Sequence, residues 1–223
     1  MEVGNWNKYR TMNQTPEIKV CGMRDSSNIR ELLQLKPDYI GFIFYEKSPR
    51  YVRSKPIADI DSTIKKVGVF VNASERSINE KRIEFGLDIL QLHGDESPEL
   101  CYILKQSGAQ VMKVFRIDED FDFQITRRYQ DYCDYFLFDT QTKAFGGSGK
   151  KFDWQLLKKY NNARPVFLSG GIGPGDIDAL EKIEGLNIKA IDINSKFETE
   201  PAMKNIDLLN SFFKKLRNKN HND

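Results

Sequence analysis

Eight short runs rich in Val, Ile and Phe recur along this chain: Ile18–Met23, Tyr39–Phe44, Lys66–Val71, Ile89–His93, Val111–Ile117, Tyr135–Thr140, Pro165–Gly171 and Ala190–Ser195. Polar stretches with helical spacing separate them. The spacing predicts helices over Ser26–Leu35, Arg76–Phe85, Pro98–Ser107, Trp154–Tyr160, Pro174–Ile183 and Met203–Arg217, with weaker ones at Ile57–Thr63 and Phe123–Asp131. Strands that alternate with helices imply parallel βαβ units, and near-continuous apolar strands fit a sheet covered on both faces. Eight such units in 223 residues predict an α/β chain folded as a (β/α)₈ TIM barrel, although ~250 residues is more usual for that fold. The rival, an open doubly wound sheet, carries a Gly-rich turn after its first strand. Here Gly22-Met23-Arg24-Asp25 follows the first strand, with no GxGxxG. The expected organisation is an extension over residues 1–17, one barrel domain over 18–217 and a polar tail over 218–223.

Charge excludes some functions. Lys and Arg number 34 against 32 Asp and Glu, a formal net of +2. A nucleic-acid binder carries a basic excess gathered on one surface, so no nucleic-acid partner is expected. The basic run Lys214–Lys219 reads as the solvated face of a terminal helix. No apolar run approaches the ~20 residues that cross a bilayer, and the polar start, Met1–Pro16, lacks the apolar stretch of a signal peptide. The expectation is a cytoplasmic protein without a membrane partner. Cys21, Cys101 and Cys133 are odd in number and have no CxxC spacing, which argues for free thiols and against a structural zinc site.

Alternate residues of a strand face the same way. Lys19 and Cys21 therefore share one face of the first strand, and Gln91 and His93 one face of the fourth. Asp139 ends the sixth strand; Asp192 and Asn194 end the eighth. In a barrel the outer face meets apolar helices, so these polar groups are expected inside, at the C-terminal mouth where barrel enzymes hold their sites. A lone buried His or Cys is more often packing, and Cys101 and Cys133, in or beside predicted helices, fit that reading. Cys21 differs, because an inward Lys19 beside it favours the thiolate. Polar groups converging from several strands are costly to bury as mere packing.

The loops add anion chemistry. Ser169-Gly170-Gly171-Ile172-Gly173-Pro174-Gly175-Asp176 follows the seventh strand and Asn194-Ser195-Lys196 the eighth. Loops after strands seven and eight are the usual phosphate site of a barrel, and Pro174 suits the first turn of a helix. Lys47-Ser48-Pro49-Arg50-Tyr51 brings a guanidinium near the mouth, able to meet a carboxylate; the plain alternative is an exposed loop Arg. Ala144–Lys150, which contains Gly147, reads either as a lid over the site or as a surface connection.

Together these residues resemble the phosphoribosylanthranilate isomerase family, from Ile18 to about Leu216. The motifs are Lys19-Val20-Cys21-Gly22, Gly41-Phe42-Ile43-Phe44-Tyr45 with Lys47–Tyr51, Val67–Asn72, Gln91-Leu92-His93-Gly94, Asp139-Thr140, Gly146–Lys150, Phe152-Asp153-Trp154, Leu168–Gly171 and Asp192-Ile193-Asn194-Ser195. The resemblance implies an Amadori rearrangement of a small phosphorylated substrate, with no cofactor and no metal. It implies Asp139 as the general acid, expected in a dry site, and Cys21 as a thiolate general base. Arg50 would bind the anthranilate carboxylate and the backbone around Gly170, Gly171, Asn194 and Ser195 the phosphate. Lys19, His93, Gly147 and Asp192 are carried with them as substrate contacts. Lys196 departs from the small residue common there, and Met1–Pro16 has no family counterpart. A monomer and a homodimer are both left open.

Two other readings compete. A metal-dependent phosphopentose epimerase on the same barrel needs His and Asp ligands on several strands, and this chain has two His, one of them His221 in the tail. A phosphate-binding barrel without catalysis has no need of both Cys21 and Asp139.

Overall fold

Strands β1 (Glu17–Val20), β2 (Tyr39–Ile43), β3 (Lys65–Phe70), β4 (Ile89–Leu92), β5 (Gln110–Ile117), β6 (Tyr135–Thr140), β7 (Val166–Leu168) and β8 (Ile188–Ile193) pair in sequence order. All are parallel, and β8 returns to β1 with Glu17 opposite Ala190 and Val20 opposite Ile193, so the sheet closes into the expected barrel. The computed structural model describes residues 15–140, 152–161, 164–183 and 186–218.

The floor of the barrel rests on a repeated aspartate. Asp38, Asp88 and Asp134 each stand one residue ahead of an even-numbered strand. Their carboxylates accept the N–H of Ile18, Lys66 and Val111 on the preceding odd strands, at 2.8, 2.8 and 2.9 Å. The aspartate N–H groups donate back to the carbonyls of the same three residues. Each of these three units thus closes a two-bond clasp where the chain enters the sheet.

Period-2 alternation then sorts the strand side chains into two apolar layers. Tyr39, Val67, Ile89, Met112, Val114, Leu137, Phe167 and Ala190 fill the barrel interior. Their neighbours, among them Ile18, Val20, Ile40, Phe42, Leu90, Phe136 and Ile191, pack outward against the surrounding helices. Those helices are α1 (Ser26–Leu33), α2 (Glu75–Phe85), α3 (Pro98–Gln106), α4 (Ile177–Glu181) and α5 (Ile206–Asn218). Sequence explains several of their ends: Asp25, Ser74 and Ser97 cap α1, α2 and α3 by accepting an N–H three residues on. Gly86 stops α2 in the left-handed conformation at φ 63°.

Several predicted elements differ. Ile57–Thr63 is not helical, and its Ile57 is instead pinned to α1 by Ser26 and Arg30. Phe123–Arg128 and Trp154–Lys159 are 3₁₀ turns, started by Asp122 and Asp153. α4 does not begin at Pro174, because the Asp176 carboxylate turns back to accept the Gly173 N–H at 2.6 Å and holds the intervening residues in a turn. The last helix begins at Ile206 rather than Met203. Ahead of it β9 (Glu198–Glu200) and β10 (Met203–Lys204) form a small antiparallel hairpin. Asn28 of α1 ties this hairpin to the barrel, exchanging two bonds with the Lys204 backbone.

Candidate active site

Near the top of the barrel the apolar interior gives way to a charged layer. Lys19 is fully buried, and its ammonium donates to Asp192 Oδ2 at 2.9 Å and to Gln91 Oε1 at 2.8 Å. Burial pulls its pKa down, but the charges of Asp192 and then Cys21 outweigh it, so Lys19 stays protonated beyond its ordinary range. The second oxygen of Asp192, Oδ1, has no hydrogen-bond partner among the described residues. A buried carboxylate oxygen without a partner is costly.

One residue above Val20, Cys21 continues the face of Lys19, with its N–H bonded to the Ile193 carbonyl at 2.9 Å. Gly41 on β2 makes room for it: a Cβ there would stand 2.9 Å from Cys21 Sγ. Cys21 is only 5% exposed. The charge of Lys19 acts on it in the expected direction, as does that of Lys204. Burial is the larger effect, and it pushes the resting thiol up. Cys101 and Cys133 are fully buried in the outer apolar layer, as packing residues would be.

Across the mouth, His93 follows β4 and Asp139 lies near the end of β6. His93 Nδ1 is 3.2 Å from Gln91 Nε2, and His93 Nε2 is 3.4 Å from Asp139 Oδ2. Asp139 Oδ1 accepts the Thr140 N–H at 2.8 Å, and the carboxyl is partly exposed, at 15%. The dry setting expected for Asp139 is thus only partial. Lys19, Cys21, His93, Asp139 and Asp192 do converge, from four strands, on one end of the barrel.

Arg50 is buried, not an exposed loop residue. Its Nε contacts both oxygens of Glu198 at 2.9 and 3.0 Å and its Nη2 reaches Oε2 at 2.7 Å. The forked pair foreseen with a ligand is therefore made to the protein, through Nε and Nη2. Glu198 also accepts from Lys204 Nζ at 2.6 Å, and Lys204 donates in turn to Asn194 Oδ1 at 2.7 Å. Burial tends to raise the Glu198 pKa, but the Arg50 bond and the Lys204 charge overcome it and keep the carboxylate ionised. Gly22, at φ 76°, fits where a Cβ would lie 2.7 Å from Arg50 Cδ and 2.8 Å from Asn194 Oδ1. Arg50, Glu198, Lys204 and Asn194 thus brace the backbone beside Cys21. Sequence reading passed over Glu198 and Lys204; a Lys and a Glu six apart after the last strand give no signal until the hairpin brings them together.

The loops after β7 and β8 lie side by side. Gly170 and Gly171 adopt φ of 95° and 68°, and a Cβ on Gly170 would fall 2.5 Å from Thr140 Oγ1. Both positions therefore require glycine. Lys196 lays its stem along Gly173, with its Cβ and Cγ within 3.7 Å of a Cβ built there. Ser195 opens the 3₁₀ turn Ser195–Phe197. Gly147 lies outside the described residues. Among the described residues, no group of three His, Cys, Asp or Glu side chains is arranged to hold a metal ion.

Comparison with known proteins places this geometry in context. Residues 18–215 match the family model described as N-(5′-phosphoribosyl)anthranilate (PRA) isomerase. The N-(5′-phosphoribosyl)anthranilate isomerase of Parabacteroides distasonis is 48% identical over 204 residues, covering 89% of this chain and 92% of that protein. The crystal structure of phosphoribosyl anthranilate isomerase from Thermotoga maritima superposes with a TM-score of 0.77 at 28% identity, over 91% of this chain and 98% of that one. A phosphoribosyl anthranilate isomerase in complex with reduced 1-(o-carboxyphenylamino)-1-deoxyribulose 5-phosphate gives a TM-score of 0.74 at 25% identity, with the same coverage of 91% and 98%.

Proposed function

The chain belongs to the N-(5′-phosphoribosyl)anthranilate isomerase family, and on that premise we propose that Asp139 and Cys21 perform the family's rearrangement as acid and base, in the cytoplasm. The reaction is an Amadori isomerisation of tryptophan biosynthesis, from N-(5′-phosphoribosyl)anthranilate to 1-(2-carboxyphenylamino)-1-deoxyribulose 5-phosphate. It consists of proton transfers and calls on no cofactor.

Asp139 gives a proton to the ribose ring oxygen as the C1′–O4′ bond breaks, and the anilino nitrogen supplies the electron pair that makes C1′ an iminium. The Cys21 thiolate removes the C2′ proton, and the resulting enolamine tautomerises to the ketone. Burial alone disfavours that thiolate. The ammonium groups of Lys19 and Lys204 favour it, and so does the iminium once it forms beside the sulfur. The thiolate is therefore most favoured once the acid has acted.

Substrate anions are held at both ends. The Nη1 edge of Arg50 faces the carboxylate, and the backbone of Gly170, Gly171, Asn194 and Ser195, with Lys196 at its border, receives the phosphate. The unpartnered Oδ1 of Asp192 is suited to a sugar hydroxyl. The reading rests on one observation above the others: Cys21, Asp139 and Asp192 reach the same mouth from β1, β6 and β8. Cys21→Ala and Asp139→Asn should each lower kcat by at least ~10²-fold with the circular dichroism spectrum unchanged. Turnover near that of the parent chain in either variant would remove that residue from the mechanism.

A further inference from the structure

Gln91 is nearly fully buried in the barrel, between Lys19 and His93, and no step above uses it. Its surroundings fix which way its amide lies. The Lys19 ammonium has three N–H groups and no lone pair. The atom it meets at 2.8 Å must be the Gln91 carbonyl oxygen. Lys19 cannot turn aside, because Asp192 holds it at 2.9 Å and the ammonium has no access to water. With the carbonyl committed to Lys19, the NH₂ group of the planar amide faces the other way, 3.2 Å from His93 Nδ1. An amide NH₂ donates and does not accept, so Nδ1 must offer its lone pair. The ring proton then sits on Nε2, the nitrogen 3.4 Å from Asp139 Oδ2.

We propose that Gln91 is a positioning residue which, itself oriented by Lys19, holds His93 as the neutral tautomer protonated on Nε2 and aimed at Asp139. His93 is thereby a donor toward Asp139 and not a second acid beside it. When Asp139 yields its proton to the ring oxygen, the new carboxylate accepts the Nε2–H bond, and His93 neither gains nor loses a proton. The barrel layer of Lys19, Asp192 and Gln91 acts on the acid through that ring. This second part rests on the role proposed above for Asp139, whereas the tautomer does not.

The chain has two histidines, so an imidazole ¹⁵N spectrum is nearly single-site, and His221→Asn makes it so. In the folded chain without ligand, the His93 ring should show a protonated-type Nε2 and an unprotonated-type Nδ1 at neutral pH. A ring protonated on Nδ1, or on both nitrogens, overturns the proposal with no variant needed. Gln91→Glu puts an acceptor opposite Nδ1 and should bring a proton onto it. kcat should fall roughly tenfold or more while KM stays within about threefold. Gln91→Met, which removes the amide and keeps the bulk, should give a mixture of tautomers and an intermediate kcat. An unmoved spectrum in Gln91→Glu overturns the amide's control of the ring. A moved spectrum with unchanged kcat overturns its part in the reaction. If the parent chain shows the expected spectrum but no turnover, the assigned activity fails and the tautomer stands.

Discussion

Cys21 has to be both packed and reactive, and the two demands oppose one another. Burial holds the thiol up, while Lys19 and Lys204 pull it toward the thiolate without prevailing in the resting site. Its alkylation by iodoacetamide should therefore keep accelerating as pH rises past the ordinary thiol range, and a bound product analogue should slow it. Full thiolate reactivity at pH 7, read by peptide mapping, would contradict this. Arg50 carries the other residue-scale prediction. Glu198 holds it by two donors, and a planar fork meets a carboxylate in a way an ammonium cannot. Glu198→Gln and Arg50→Lys should each raise KM by several-fold, with a smaller change in kcat. An unchanged KM in Arg50→Lys would place the carboxylate contact elsewhere.

The hairpin of β9 and β10 acts as a strap. Through Lys204 it joins Glu198, Asn194 and the α1 residue Asn28. Lys204→Met leaves Asn194 and one Glu198 oxygen without this donor, and should cost about 3 kcal/mol in urea unfolding. A loss below about 1 kcal/mol would show that the strap is held by its backbone alone. Glu198 makes the strap pH-dependent. Its folded pKa is depressed, so its stabilisation is complete above the ordinary carboxylate range and lost as pH falls through the folded value. Acid unfolding should be shallower in Glu198→Gln. Sequence reading missed this element because its cause is distant. Met203-Lys204 continues the phase of α5, and only the pairing of Lys204 with Asn28, far back in the chain, draws it out of the helix. Pro174 misled in the same way, since the Asp176 carboxylate decides where that turn ends.

At the scale of the molecule the barrel was legible because both of its periods are local. Two-residue alternation assigned Lys19, Cys21, Gln91 and His93 to the interior, and the structure brings them there with Asp139 and Asp192. What stayed hidden was the balance of forces between those groups. The sequence sets Lys19 two residues from Cys21 but does not show that Asp192 and Gln91 share its ammonium. Nor does it show that burial outweighs it. The central claim is that this mouth rearranges a phosphoribosylated anthranilate by proton transfer alone. Its most direct test is the fluorescence of N-(5′-phosphoribosyl)anthranilate mixed with the purified chain after exhaustive chelation. The account predicts catalytic loss of that fluorescence, with 1-(2-carboxyphenylamino)-1-deoxyribulose 5-phosphate as product. No turnover by the folded chain, or turnover that returns only with an added divalent ion, would contradict it.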